Sequence, residues 1–169
     1  DAHTKSEKKI DVIIDEWGSW HHEVRILPGF PVGEVPNNLE QPGTMRDALY
    51  AARVLHGFIR RADRVAMANL AQTVNTSHCL LKTQASALVR TPTYHVFDML
   101  RNHAGALLVE IEGDVGTFEF ADDGNARCLP SLDIVASATV DGSRIALSIE
   151  NPHMDREEVL RLRIGCASG

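Results

Sequence analysis

The spacing of apolar positions changes twice along this chain. Residues 10–15, Ile-Asp-Val-Ile-Ile-Asp, form a short β-branched run. Such a run predicts a strand covered on both faces, as in a parallel sheet. Residues 17–43 hold Gly18, Pro28, Gly29, Pro31, Gly33, Pro36, Pro42 and Gly43, so a long loop is expected there. Met45, Leu49, Ala52, Leu55, Phe58, Ile59 and Ala62 then recur at helical spacing, with Thr44 and Asp47 as a capping-box start. This predicts an amphipathic helix over about 44–62. A second apolar run, 65–70, completes a βαβ unit with an expected right-handed crossover. Residues 71–90 show no clear period. Thr91-Pro92 opens a second helix over about 92–103, carrying Tyr94, Phe97 and Leu100.

After Gly105 the period falls to two. Alternating runs at 106–112, 116–121, 132–140 and 143–150 predict strands, the last two joined at Asp141-Gly142 by a tight hairpin. A final strand is expected over about 156–164. The chain therefore divides near residue 105 into an α/β part, 1–105, and an antiparallel β-sandwich, 106–169. One βαβ unit with two helices cannot cover both faces of a parallel sheet. The first part is expected to belong to a larger α/β domain.

Composition narrows the function classes. The chain has 169 residues, 44% of them hydrophobic, and a formal charge of −6. No basic stripe is available to neutralise phosphates, so no nucleic-acid partner is expected. No apolar run reaches ~18 residues, so no membrane span is expected either. Cys79, Cys128 and Cys166 are widely spaced and odd in number, without zinc-ligand spacing. This points to a reduced chain in a cytoplasmic setting. The polar start has no signal-peptide pattern and no Met, and the natural N-terminus is expected further upstream.

The candidate chemistry sits at the end of the first strand, in "IDVIIDEWGSWHHEV". Active sites of α/β folds lie at the carboxyl ends of parallel strands. Glu16 holds that place, beside Trp17 and Trp20, the two tryptophans of the chain. Carboxylates hydrolyse glycosidic bonds, and aromatic faces stack on sugar rings. Plain core packing is the competing reading for the tryptophans and is expected of one of them. Asp15 and Glu16 point to opposite faces of a strand, so they cannot form one catalytic pair. One faces the site, and a second carboxyl must come from elsewhere.

Three blocks carry a resemblance: "VIIDEWGSWHHEV", "MRDALYAARVLHGFIRRADRVAMANLAQTVN" and "TPTYHVFDML". Their order and spacing resemble the C-terminal part of the family-51 glycoside hydrolases, the α-L-arabinofuranosidases, over about residues 10–108. Met45 stands where that family more usually has Leu. The resemblance implies the last two βα units of a (β/α)8 TIM barrel, strands 7 and 8, followed by a jelly-roll-like β-sandwich. It implies that Glu16 is the nucleophile of a retaining mechanism, that Gln72 bonds the arabinose ring, and that Trp20 lines the substrate site. The family's acid/base glutamate belongs to an Asn-Glu motif on the fourth strand, and this chain has no Asn-Glu dipeptide. The chain is thus expected to supply a nucleophile without an acid/base, and to need the N-terminal part of the barrel as partner. An arabinose-containing oligo- or polysaccharide is the implied substrate. No cofactor is implied, and a homo-oligomer is.

Other candidates are weaker. His21-His22 invites a metal, but adjacent residues rarely share one ion, and no third ligand stands at a recognisable spacing, so no metal is expected. His95, Asn69 and Asn75 read as structural. The acidic stretch Glu110–Asp123 lacks a calcium-loop pattern and reads as a solvated sheet face. Two alternatives stay open: an endoglucanase-type barrel glycosidase, with loop 17–43 lining an open cleft, and a non-catalytic sugar-binding β-sandwich fragment.

Overall fold

Strand β1 (Val12–Trp17) pairs in parallel with β2 (Val65–Leu70) in the computed structural model, which describes residues 9–21, 40–122 and 124–165. The sequence places β1 at 10–15; it starts and ends two residues later, so Asp15 and Glu16 lie inside it. The ladder is the reason. Trp17 pairs with Leu70, and the Ala71 N–H donates to the Trp17 carbonyl at 3.0 Å. The expected two-sided burial is not met within the described residues: Ile13 is 60% exposed and Met67 47%. Apolar side chains on a parallel pair are ordinarily covered on both faces. Most of the long loop expected at 17–43 falls at 22–39, outside the described residues.

Helix α1 (Met45–Arg60) connects the two strands. Thr44 is its N-cap, and the Asp47 carboxylate reaches back to the Thr44 N–H at 2.8 Å, satisfying a donor the helix cannot. Ala48 and Ala51 are buried against Val96 of α2 (Pro92–Leu100), with Trp17, Leu55 and Leu100 packed on the cluster. Small residues on α1 let its backbone come close to those rings. Trp17 stacks on Phe97 with 6.0 Å between centroids and meets Phe58 edge-on at 5.5 Å. Thr91 caps α2 through its hydroxyl, which accepts from the Tyr94 N–H at 3.3 Å. The α-helix is shorter than the predicted 92–103, because Arg101–His103 tighten into a 3-10 turn.

The unassigned stretch 71–90 contains the hairpin β3 (Leu81–Gln84) and β4 (Ala87–Arg90). Its turn is carried by Ala85 at φ +51°, a residue type that gives no turn signal.

The C-terminal third holds β5 (Leu107–Val109), β6 (Thr117–Asp122), β7 (Asn125–Pro130), β8 (Asp133–Ala138) and β9 (Ile145–Glu150). They form a three-stranded sheet in the order β5-β8-β9 and a separate β6-β7 hairpin, all antiparallel. β7 is not among the strands the sequence predicts: only Asn125–Cys128 of "NARCLP" alternates, before Leu129 and Pro130 break the pattern. The β8-β9 connection is longer than a two-residue turn. The Asp141 carboxylate organises it, accepting from Thr139 Oγ1, the Ser143 N–H and Ser143 Oγ, and these bonds hold its carboxyl at about 2. The strand expected at 156–164 is absent within the described residues: no neighbouring strand offers that segment a ladder, and Val159 is 98% exposed. On β9, Ile145, Leu147 and Ile149 alternate onto one exposed apolar face, while Ser148 and Glu150 turn toward α1 and the 3-10 turn.

Charge joins the helical layer to this sheet. Asp133 takes His56 Nδ1 at 3.0 Å and also pairs with Arg60, and Arg53 Nε donates to Glu150 at 2.9 Å. His103 bridges Ser137 Oγ and Ser148 Oγ, at 2.8 Å each. Burial alone would raise the Asp133 carboxyl, but the hydrogen bonds from His56 and Arg60 and the Arg60 charge outweigh it and hold the group at about 2, below the ordinary 3.8. A depressed folded-state value stabilises the fold above the unfolded value and loses that contribution as pH falls through the folded one. Asp133 is therefore expected to contribute about 2 kcal/mol near neutrality, lost between about pH 4 and about pH 2. Urea midpoints of wild type and Asp133→Asn across that range check it. The two should converge at the acid end, and a constant difference would contradict the assignment.

Candidate functional site

Glu16 is the penultimate residue of β1 and is exposed. Among the described residues no hydrogen bond or ion pair reaches Asp15 or Glu16, so the anion-stabilising neighbours expected of a nucleophile are not found there. The two tryptophans separate clearly. Trp17 is the core residue, sandwiched between α1 and α2, whereas Trp20 is 59% exposed. Gln72 is exposed, two residues past the end of β2. Glu16, Trp20 and Gln72 thus lie at the same, carboxyl end of the parallel pair.

The turn that carries Trp20 is fixed at four points. Tyr50 Oη donates to the Gly18 carbonyl at 3.2 Å. Ser19 Oγ donates to Asp47 Oδ1 at 3.1 Å, and His21 Nε2 meets the same oxygen at 2.7 Å. His78 Nδ1 lies 2.6 Å from the Ser19 carbonyl. Ser19 and His21 flank Trp20 and are both held by one carboxylate, so the residue between them is turned outward. Asp47 also accepts the Thr44 N–H and Thr44 Oγ1, each at 2.8 Å. Burial pushes its carboxyl up, but the bonds from Thr44 and His21 outweigh this and hold it below the ordinary range. An ionised Asp47 is what four donors require.

Sequence reasoning singled out Asp47 only as a helix start and missed its second role. His78, Ser19 and Tyr50 were not singled out at all. Gly18 was read only as a loop residue, yet a Cβ there would lie 1.8 Å from His78 Nε2. His21 is spent on Asp47, which argues against a metal at the His pair; His22 lies outside the described residues. Asn75 is structural: it sits at φ +52° and brackets Thr83, accepting from its N–H at 2.8 Å and donating to its Oγ1 at 2.9 Å. His95 is exposed and meets the Tyr94 ring edge-on. Among the described residues, His56, Asp133 and Glu150 are the group whose ligand atoms fall within 4.8 Å of one another. Arg60 and Arg53 already neutralise the two carboxylates, so the cluster is an ion-pair clasp rather than a cation site. No helix among the described residues is long and apolar enough to cross a membrane.

Comparison with known proteins shows which family the chain is similar to. Residues 15–165 match the family model described as the α-L-arabinofuranosidase C-terminal domain. An intracellular exo-α-L-arabinofuranosidase of Bacteroides ovatus is 33% identical over 159 residues, covering 94% of this chain and 29% of the relative. An intracellular exo-α-(1→5)-L-arabinofuranosidase of Streptomyces lividans is 30% identical, covering 79% of this chain and 20% of the relative. Among solved structures, the GH51 arabinofuranosidase of Xanthomonas axonopodis pv. citri superposes with a TM-score of 0.69 at 30% identity, over 83% of this chain and 26% of that one. The α-L-arabinofuranosidase of Thermotoga maritima, solved with arabinose, gives 0.62 at 28% identity over 83% of this chain and 28% of that one. The chain thus spans under a third of the length of these relatives.

Proposed function

Because this chain belongs to the α-L-arabinofuranosidase C-terminal domain family, we propose that it supplies the nucleophile-bearing end of a retaining α-L-arabinofuranosidase site. In this reading residues 1–105 are the last part of a (β/α)8 barrel, with β1 and β2 as its seventh and eighth strands. Residues 106–169 belong to a jelly-roll-like β-sandwich. The exposed apolar side chains of β1 and β2, and the open face of β9, are where the remaining strands of each unit would pack.

The observation that carries the reading is the placement of Glu16, Trp20 and Gln72 together at the carboxyl end of one parallel pair. The Glu16 carboxylate attacks the anomeric carbon of a terminal arabinofuranosyl residue. The bond to the leaving oxygen breaks as a second carboxyl group protonates it. Water, deprotonated by that second group, then cleaves the glycosyl ester and frees Glu16. Trp20 faces the sugar and Gln72 bonds its ring hydroxyls. The acid/base comes from the remaining barrel strands. The substrates are arabinan, arabinoxylan or their oligosaccharides, the setting is intracellular as in the names of the relatives, and the assembly is a homo-oligomer.

The purified 169-residue chain is expected to show no turnover of a nitrophenyl α-L-arabinofuranoside, while the intact protein that carries it turns the substrate over. Activity of the isolated chain would contradict the division of the catalytic pair. Cleavage of a β-glucan in place of the arabinofuranoside would favour an endoglucanase instead.

A further inference from the structure

His78 is 3% exposed, and each of its ring nitrogens faces a main-chain carbonyl. Nδ1 lies 2.6 Å from the Ser19 oxygen and Nε2 lies 2.5 Å from the Ala71 oxygen. A carbonyl oxygen only accepts, so each nitrogen must donate. A neutral imidazole has one N–H, and only the doubly protonated ring can make both bonds. The two carbonyls belong to the residues immediately before Trp20 and Gln72. Two further features converge on the same ring. His78 itself adopts a left-handed backbone at φ +41°, which is unfavourable for a non-glycine residue. Residue 18 is glycine, and any Cβ there would lie 1.8 Å from Nε2 and 2.3 Å from Cε1. The chain accepts an unfavourable backbone at one position and gives up a side chain at another to seat this one imidazole.

We propose that His78 is a positioning residue which, with both ring nitrogens protonated, clamps the Ser19 and Ala71 carbonyls together and so sets the spacing between Trp20 and Gln72 across one bound sugar. It touches neither substrate nor reacting atoms. Its effect passes through the two main-chain segments it joins. Parallel pairing ends at Trp17 and Leu70, with one further bond from the Ala71 N–H. Beyond that point, among the described residues, His78 bonds the main chain of both strand ends. Misplacing a binding group by about 1 Å can cost about 100-fold in rate.

The link to Trp20 and Gln72 rests on the arabinofuranosidase reading, whereas the protonation of the ring does not. Imidazole 15N spectra of the intact protein, labelled in histidine and assigned with His78→Gln, read the protonation directly. The expected signature is two N–H nitrogens in the buffer of the turnover assay; one protonated and one bare nitrogen would overturn the clamp. The second measurement is steady-state turnover of a nitrophenyl α-L-arabinofuranoside. His78→Phe fills the volume without a donor and is expected to lower kcat/KM about 100-fold, with His78→Gln, which keeps a donor, losing less. Wild-type kcat/KM in folded His78→Phe would overturn the positioning role. If neither variant folds, through-bond assignment of the His78 ring in the wild type still decides between the two protonation states. An intact wild type with no arabinofuranosidase turnover would instead remove the functional reading and leave the spectrum to judge the clamp alone.

Discussion

Glu16→Ala in the intact protein is expected to lower turnover of a nitrophenyl α-L-arabinofuranoside by at least about 10,000-fold, with the unfolding midpoint nearly unchanged. The size follows from the role: removing a covalent nucleophile abolishes the low-energy path, and what remains is binding and the second carboxyl group. The small effect on stability follows from the structure. Glu16 is exposed and, among the described residues, makes no hydrogen bond or ion pair whose loss would be felt. Azide should restore part of the rate by entering the space of the missing carboxylate, and the product should be the glycosyl azide of inverted configuration. Near-wild-type turnover in Glu16→Ala would remove the nucleophile assignment.

Asp47→Ala is the opposite kind of change, with a large effect on both stability and rate. Asp47 is 1% exposed and takes four donors: the Thr44 N–H, Thr44 Oγ1, Ser19 Oγ and the His21 ring. Loss of the helix-start contact costs about 1 kcal/mol. Orphaning a buried hydroxyl and a ring N–H costs about 1 kcal/mol or more each. The sum, about 3 kcal/mol, lowers the unfolding midpoint of the intact protein by several degrees. The rate effect comes from the turn, since Ser19 and His21 no longer hold Trp20 between them. A loss of about 10-fold or more in kcat/KM is expected even at temperatures where the variant is fully folded. Asp47→Ala with wild-type kcat/KM would show that the turn holds its shape without the carboxylate.

The two cases also show where a single sequence is readable. Glu16 could be read because its chemistry and its place coincide, a carboxylate at the end of an apolar run beside aromatics. Helix α1 could be read because amphipathic spacing and a Thr-x-x-Asp start are local signals. The second duty of Asp47 could not, since its partners Ser19 and His21 lie 28 and 26 residues away. His78 gives no local sign at all: its partners are main-chain carbonyls, and any residue has one. The Gly18-His78 pairing is visible only as a missing Cβ facing a ring. The strand expected at 156–164 failed for the converse reason. Alternation shows that a segment can be a strand, but a ladder needs a neighbour, and the sequence does not say whether one is there.

Trapping the covalent intermediate tests the central assignment most directly. The intact protein, incubated with a 2-fluoro arabinofuranosyl substrate bearing an activated leaving group, should gain the mass of one fluoro-arabinosyl unit. Peptide mass spectrometry should place it on Glu16, within the segment that contains "DEWGSW". A label on any other residue, or rapid turnover with no trapped adduct and inverted product, would contradict the account.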